Sequence, residues 1–197
     1  MAPNINFFVI FFAAIFTSNI VLSYFLGLCS FISISKDINS SNGLGLAVTF
    51  VLTITTAICY LINKHILIPY DLEYLQFIVF IIIIAAVVQM LEMVIDRLSP
   101  SLYLVLGIFL PLITVNCAIL GVILFMVIRN YTFIQSILFG IGSGLGWWLA
   151  IMLLAAIRKR IAKSSVIGPL QGTGITLIII GIMAMAFMGF SGLLNIQ

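Results

Sequence analysis

Cys29 and Cys117 stand 88 positions apart in a chain of 197 residues, a separation close to half its length. Each follows a similar apolar run: Phe25-Leu26-Gly27-Leu28-Cys29, and Phe109-Leu110-Pro111-Leu112-Ile113-Thr114-Val115-Asn116-Cys117. Each also lies near a residue that disfavours a continuous helix, because Gly27 loosens the backbone and Pro111 lacks an N–H donor. Apolar residues follow both, so neither is expected in a solvated loop. A cysteine in an apolar helix ordinarily serves as a small packing residue. The matched positions suggest the other reading: if the helix ends meet, two thiolates converge. Two thiolates half-fill a four-ligand site, whether an iron–sulfur centre or structural zinc, so the remaining ligands would come from a second copy or a related subunit. Cys59 has neither a counterpart nor a breaker, and packing is its expected role. Three cysteines do not form a disulfide framework.

Glu92 and Asp96 are the next candidates, in Gln89-Met90-Leu91-Glu92-Met93-Val94-Ile95-Asp96-Arg97. Their i, i+4 spacing puts both carboxylates on one helix face. Asp96 is expected at the interface beside Arg97. Glu92 lies one turn deeper, about 6 Å, either reaching back to the headgroups or serving as an intramembrane site on a cation path. Gly140-Ile141-Gly142-Ser143-Gly144-Leu145-Gly146 lacks the Lys-Ser/Thr of a phosphate loop, and its spaced small residues suit close helix packing. His65 has no cysteine or carboxylate cluster nearby in sequence, and a metal role is not expected.

The elements that must position these residues are membrane helices. The chain is 64% hydrophobic and 7% charged, with mean hydropathy +1.38, against roughly 25% charged residues in soluble domains. Six apolar stretches, 7–34, 44–62, 72–95, 102–128, 133–157 and 173–194, are each long enough to span at roughly 20 residues. Short polar segments at 36–42, 63–71, 96–101, 129–132 and 158–171 join them. The expected fold is an all-α integral membrane protein in a single membrane domain over 1–197. It has no room for a sizeable soluble domain and no basic surface suited to nucleic acid. The first six residues carry no basic group, and the following run is too long for a cleaved signal peptide. One side holds Lys36, Arg97, Arg158, Lys159, Arg160 and Lys163; the other holds Lys64 and Arg129. The richer side is expected to be cytoplasmic, with both termini outside. Three spans in each half, about 1–98 and 99–197, would make two inverted repeats, with the first and fourth helices interrupted at Gly27 and Pro111.

Several motifs together resemble a known family. Leu106-Gly107-Ile108-Phe109-Leu110-Pro111-Leu112-Ile113-Thr114-Val115-Asn116-Cys117-Ala118-Ile119 resembles the signature of the paired membrane subunits of the sodium-translocating NADH:quinone oxidoreductase, Nqr, and of the related Rnf complex. Phe25-Leu26-Gly27-Leu28-Cys29 is similar to the family's other cysteine motif, and Gln89-Met90-Leu91-Glu92-Met93 and Phe187-Met188-Gly189-Phe190-Ser191-Gly192 also fit. The likeness covers nearly the whole chain. Phe125-Met126-Val127-Ile128-Arg129-Asn130-Tyr131, Gly142-Ser143-Gly144-Leu145-Gly146-Trp147 and Ile95-Asp96-Arg97 look most like the E subunit of Nqr. Ile66-Leu67-Ile68-Pro69 and Met188-Gly189-Phe190 look more like the A subunit of Rnf.

The resemblance implies six spans in two inverted halves and an intramembrane [2Fe–2S] cluster shared with a homologous subunit. That partner is the D subunit of Nqr, or the E subunit of Rnf, within a six-subunit complex of the bacterial inner membrane. Cys29 and Cys117 match the iron-ligand positions. The implied function is to carry electrons across the bilayer toward ubiquinone, coupled to cation transport. Flavins and the NADH site belong to other subunits; this chain has no catalytic residue or substrate site of its own. A non-redox transporter built from inverted repeats is the rival class. It would account for the broken helices and Glu92 but gives no reason for the matched cysteines.

Overall fold

A computed structural model describes residues 7–98, 110–162 and 172–189. Its helices are α1 (Phe7–Ile15), α2 (Leu28–Ile34), α3 (Ile38–Ile62), α4 (Gln76–Leu98), α5 (Leu110–Thr114), α6 (Cys117–Ile128), α7 (Phe133–Ile161) and α8 (Thr173–Met188). Four helical segments among the described residues are long and apolar enough to cross a membrane: Ile38–Leu67, Glu73–Val94, Pro111–Ile128, which is interrupted between α5 and α6, and Phe133–Ile161. The shorter Thr173–Met188 is also apolar. The starting part of the expected fourth span, and the end of the sixth, lie outside the described residues.

Three boundaries differ from the sequence reading, each for a local reason. The polar segment 36–42 is largely the first turns of α3, not a loop. Asp37 caps that helix: its carboxylate accepts from the Ser40 N–H at 3.1 Å and the Ser40 hydroxyl at 2.9 Å. Those two donors hold the Asp37 carboxyl below the ordinary aspartate range. Past Ile62, α3 runs on through a π-helical turn at Asn63–Leu67. Likewise α7 continues to Ile161, so Arg158, Lys159 and Arg160 form its last turn. Long basic side chains are good helix formers, and they complement the negative end of the helix dipole.

The first apolar stretch is not one helix. Between α1 and α2, residues 16–27 leave the helical path, and Asn19 organises the break. Its Nδ2 donates to Ile15 O and Gly146 O, at 3.1 and 2.9 Å, while its Oδ1 accepts from the Val21 and Leu22 amides. A fully buried amide thus satisfies backbone groups that the broken helix frees. The second break falls at Val115 and Asn116, between α5 and α6. Pro111, the expected breaker, lies inside α5 instead. Asn116 is extended, with φ −75° and ψ 111°, and its Oδ1 caps α6 by accepting from the Ala118 N–H at 3.0 Å.

Helix α7 is the centre of the molecule, packed between α1 and α3. The glycines expected to serve packing do so, on two faces. A Cβ at Gly140 would lie 2.9 Å from Thr56 Oγ1, and one at Gly144 2.8 Å from Thr49 Cα, both on α3. One at Gly142 would meet Ala14 Cβ at 2.9 Å, and one at Gly146 Ile15 O at 3.0 Å, both on α1. The i, i+4 pairs therefore bring two helices against one, as small residues do in bilayers. Trp147, Phe31 and Phe80 fill the interior. By contrast α4 exposes Phe77, Ile78, Ile81, Ile82, Met90, Met93 and Val94, an apolar outer face suited to lipid or to a neighbouring protein.

The ends of the helices sort the basic residues. Arg158 Nη1 donates to Ile32 O at 2.9 Å and to Ser35 Oγ at 2.6 Å, so the end of α7 meets the end of α2 beside Lys36. Lys64 and Asn130 line one cavity, which places Lys64 and the neighbouring Arg129 together at another end. Lys163 lies outside the described residues.

Candidate functional site: two thiols at paired helix starts

Both breaks lead directly into a cysteine. Cys29 is the second residue of α2 and Cys117 the first of α6. Both are exposed, whereas Cys59 is fully buried inside α3. The two helix starts touch: the Gly27 N–H donates to Cys117 Sγ at 2.9 Å, and Gly27 stands two residues before Cys29. An N–H donor to sulfur is the kind of outer contact that orients a thiolate ligand.

The contact depends on Gly27 having no side chain. Its φ of 84° and ψ of 16° lie in the left-handed region. An added Cβ would stand 2.9 Å from Asn116 Oδ1, 3.0 Å from Ala118 Cβ and 3.2 Å from Trp147 Nε1. Asn116 ties the two breaks further, since its Nδ2 donates to Ser30 Oγ at 3.3 Å, and the Ser30 hydroxyl donates to Gly27 O at 3.1 Å. Behind this cradle Trp147 is fully buried, and its indole N–H has no hydrogen-bond partner. The sequence reading missed the parts played by Asn19, Ser30, Asn116 and Trp147. Two asparagines within apolar stretches were the available signal, since a buried amide in a membrane helix needs backbone partners.

Glu92 is half-buried on α4, and Asp96 and Arg97 are exposed near its end. Among the described hydrogen bonds none joins Glu92 to the cysteine site. His65 is exposed in the π-helical turn. Among the described residues no three His, Cys, Asp or Glu side chains gather as a metal site would require. Two exposed thiols at touching helix starts, with the Cys117 sulfur held by the Gly27 N–H, could make half of a four-thiolate ligand set, a second polypeptide bringing the rest.

Several long apolar helices, two of them leading from broken backbone into exposed thiols, define a multi-pass membrane protein. The chain belongs to the Rnf-Nqr family: residues 7–194 match the family described as Rnf-Nqr subunit, membrane protein. It is 49% identical to the E subunit of the Na(+)-translocating NADH-quinone reductase of Chlamydia trachomatis serovar L2, over 96% of this chain and 82% of that protein. It is 51% identical to the A subunit of the Na(+)-translocating ferredoxin:NAD(+) oxidoreductase complex of Acetobacterium woodii, over 92% of this chain and 94% of that one. It is also 47% identical to the A subunit of the ion-translocating oxidoreductase complex of Psychromonas ingrahamii, over 96% and 99%.

Proposed function

We propose that this chain is a membrane subunit of an ion-translocating oxidoreductase, corresponding to the E subunit of sodium-translocating NADH:quinone reductase, in the bacterial cytoplasmic membrane. The observation that carries the reading is the pairing of Cys29 and Cys117 at two touching helix starts. In this reading the two thiolates hold one side of a [2Fe–2S] cluster, and a homologous subunit supplies the other two ligands. When bound, such a cluster takes up and returns single electrons. Gly27 orients Cys117 through its N–H, Asn116 and Ser30 fix the spacing of the two helix starts, and the surrounding apolar helices exclude water. Two interrupted helices, each followed by a cysteine, support two inverted halves, about 1–98 and 99–197, completing six spans.

Either Cys29→Ser or Cys117→Ser should remove most of the iron–sulfur signal from the purified complex and stop quinone reduction, because serine is a harder, poorer ligand for iron. NADH oxidation by artificial acceptors should survive, since no residue of this chain serves that site. Cys59→Ser should change neither. Electron paramagnetic resonance with iron analysis reads all three. Full iron and full quinone reduction in both exposed-cysteine variants would return them to a packing role.

A second reading, the A subunit of an Rnf complex, is supported by the A subunits of a ferredoxin:NAD(+) oxidoreductase complex and of an ion-translocating oxidoreductase complex, matched over 94% and 99% of their lengths. NADH-driven quinone reduction by the purified complex favours the first reading; reduced-ferredoxin-driven NAD+ reduction favours the second.

A further inference from the structure

A cavity of about 230 Å³ lies where the end of α3 meets the turn between α6 and α7, at the opposite end of α7 from Arg158. Its wall is irregular backbone on both sides. On one side the α-helix widens into the π-turn at Asn63–Leu67. On the other, Asn130 has φ 51°, the left-handed conformation that ends α6 and that asparagine accepts more readily than most residues. π-helical turns recur at functional sites.

Three side chains of the lining offer donors. Lys64 brings an ammonium, placed 5.8 Å from the centroid of the Tyr60 ring. Asn63, in the lining, has its Oδ1 taken by Gln76 Nε2 at 3.3 Å, which leaves its amide N–H₂ as a donor. The Tyr131 hydroxyl accepts from Arg129 Nη1 at 3.1 Å, so its own proton is left to donate. Behind Tyr131 the Arg129 guanidinium is braced over the Phe125 and Phe139 rings, adding positive potential. Among the described residues no carboxylate lines the cavity; Asp71 and Glu73, which follow the π-turn in sequence, stand outside it. This sign of charge repels a cation and suits an anion with several acceptor oxygens.

We propose that this cavity binds the phosphodiester of an anionic phospholipid from the leaflet at this end of the molecule. The shared chemistry is that of a phosphate ester. The lipid source is favoured by Ile68, an exposed apolar residue of the lining that stands with the exposed Lys64 at the mouth of the cavity, and by Tyr60 one turn before Lys64. Tyrosine and lysine together at the end of a span are the residues that meet headgroups. This site is separate from the cysteines and stands whatever cofactor they hold.

The test is native mass spectrometry of the intact complex, released from micelles containing equal phosphatidylglycerol and phosphatidylcholine. The wild-type complex should retain phosphatidylglycerol preferentially. Lys64→Gln should lower that retention about fivefold, the factor one lysine contributes at an anionic lipid surface, and Lys64→Arg should largely keep it. Equal retention of the two lipids, or no change in Lys64→Gln, would overturn the proposal. Water-soluble glycerophosphoglycerol is the second arm. If it displaces the lipid only at far higher concentration, the lipid assignment holds; if it is as effective as the lipid, the ligand is a free phosphate ester and the assignment fails.

Discussion

Glu92 is the one acidic side chain of five that is not exposed; Asp37, Asp71, Glu73 and Asp96 all face outward. Its carboxylate sits about 6 Å, one helical turn, deeper than Asp96. Burying even part of a charge in an apolar helix is costly, and such residues mark ion pathways. We therefore expect Glu92→Gln, which keeps size and removes charge, to lower sodium-dependent turnover of the complex while leaving its iron content intact. Unchanged sodium dependence in reconstituted vesicles would reduce Glu92 to an interfacial residue. That Glu92 stands one turn before Asp96 on a single helix was legible from the spacing, because helix period alone sets it. The geometry around Cys117 was not. Gly27 was singled out as a helix breaker, but its positive φ and its N–H on the opposite half's sulfur depend on a contact 90 positions away, which no local pattern encodes. Pro111 misled for a related reason. A proline near a break need not be the break, and the extended Asn116, with a side chain able to cap, took that place.

At the scale of elements, α7 shows what the sequence could and could not say. The glycines from 140 to 146 announced close packing, since small residues at every second position leave two flat strips on a helix. That one strip meets α3 and the other α1 required the fold. The pairing gives a sharp prediction. A valine at Gly144 would drive its Cβ toward the Thr49 backbone, which has no flexible end to yield. Gly144→Val should destabilise the complex by about 1–3 kcal/mol or more, read as a lower melting temperature and loss of assembled complex. Gly181→Ala on α8 is the control: nothing lies within 4 Å of its added Cβ, and it should be neutral or slightly stabilising. Equal effects at both positions would refute the packing account. Helix ends were the least legible feature. Polarity at 36–42 and 158–171 suggested loops, yet Asp37 and the basic last turn of α7 are helix-terminating chemistry, and capping residues look like loop residues when read by hydropathy alone.

For the whole molecule, the placement of Arg158 against Ser35, next to Lys36, and the nearness of Lys64 to Asn130, next to Arg129, group these basic residues as the sequence divides them. The excess at the first end leads us to propose that this end is cytoplasmic and that both termini lie outside. A reporter fused after Gln197 that is active only in the cytoplasm should be silent, and one active only outside should be active; the reverse pattern would invert the molecule. The apolar composition made a membrane protein evident from the outset, because lipid can solvate a surface with so few charges. Which faces meet lipid and which meet a neighbouring protein could not be read, since both are apolar; the exposed cysteines are the distinguishing mark.

The 30-residue rod Ile38–Leu67 has a consequence for the bilayer itself. At 1.5 Å per residue it is about 45 Å long, half again the roughly 30 Å of a hydrocarbon core. Its apolar middle, 44–62, spans about 28 Å by the same rise and matches that core without strain. The remainder is therefore stilts. With 44–62 in the core, the capped turn after Asp37 and the π-turn before Ile68 would stand in the headgroup layers on opposite sides, where water can serve their polar groups. A thicker membrane would draw one of those turns into oil, and a thinner one would be met by tilting. The rod thus works as a gauge: the length of its apolar middle, rather than of the helix, sets the membrane thickness in which this protein sits at rest.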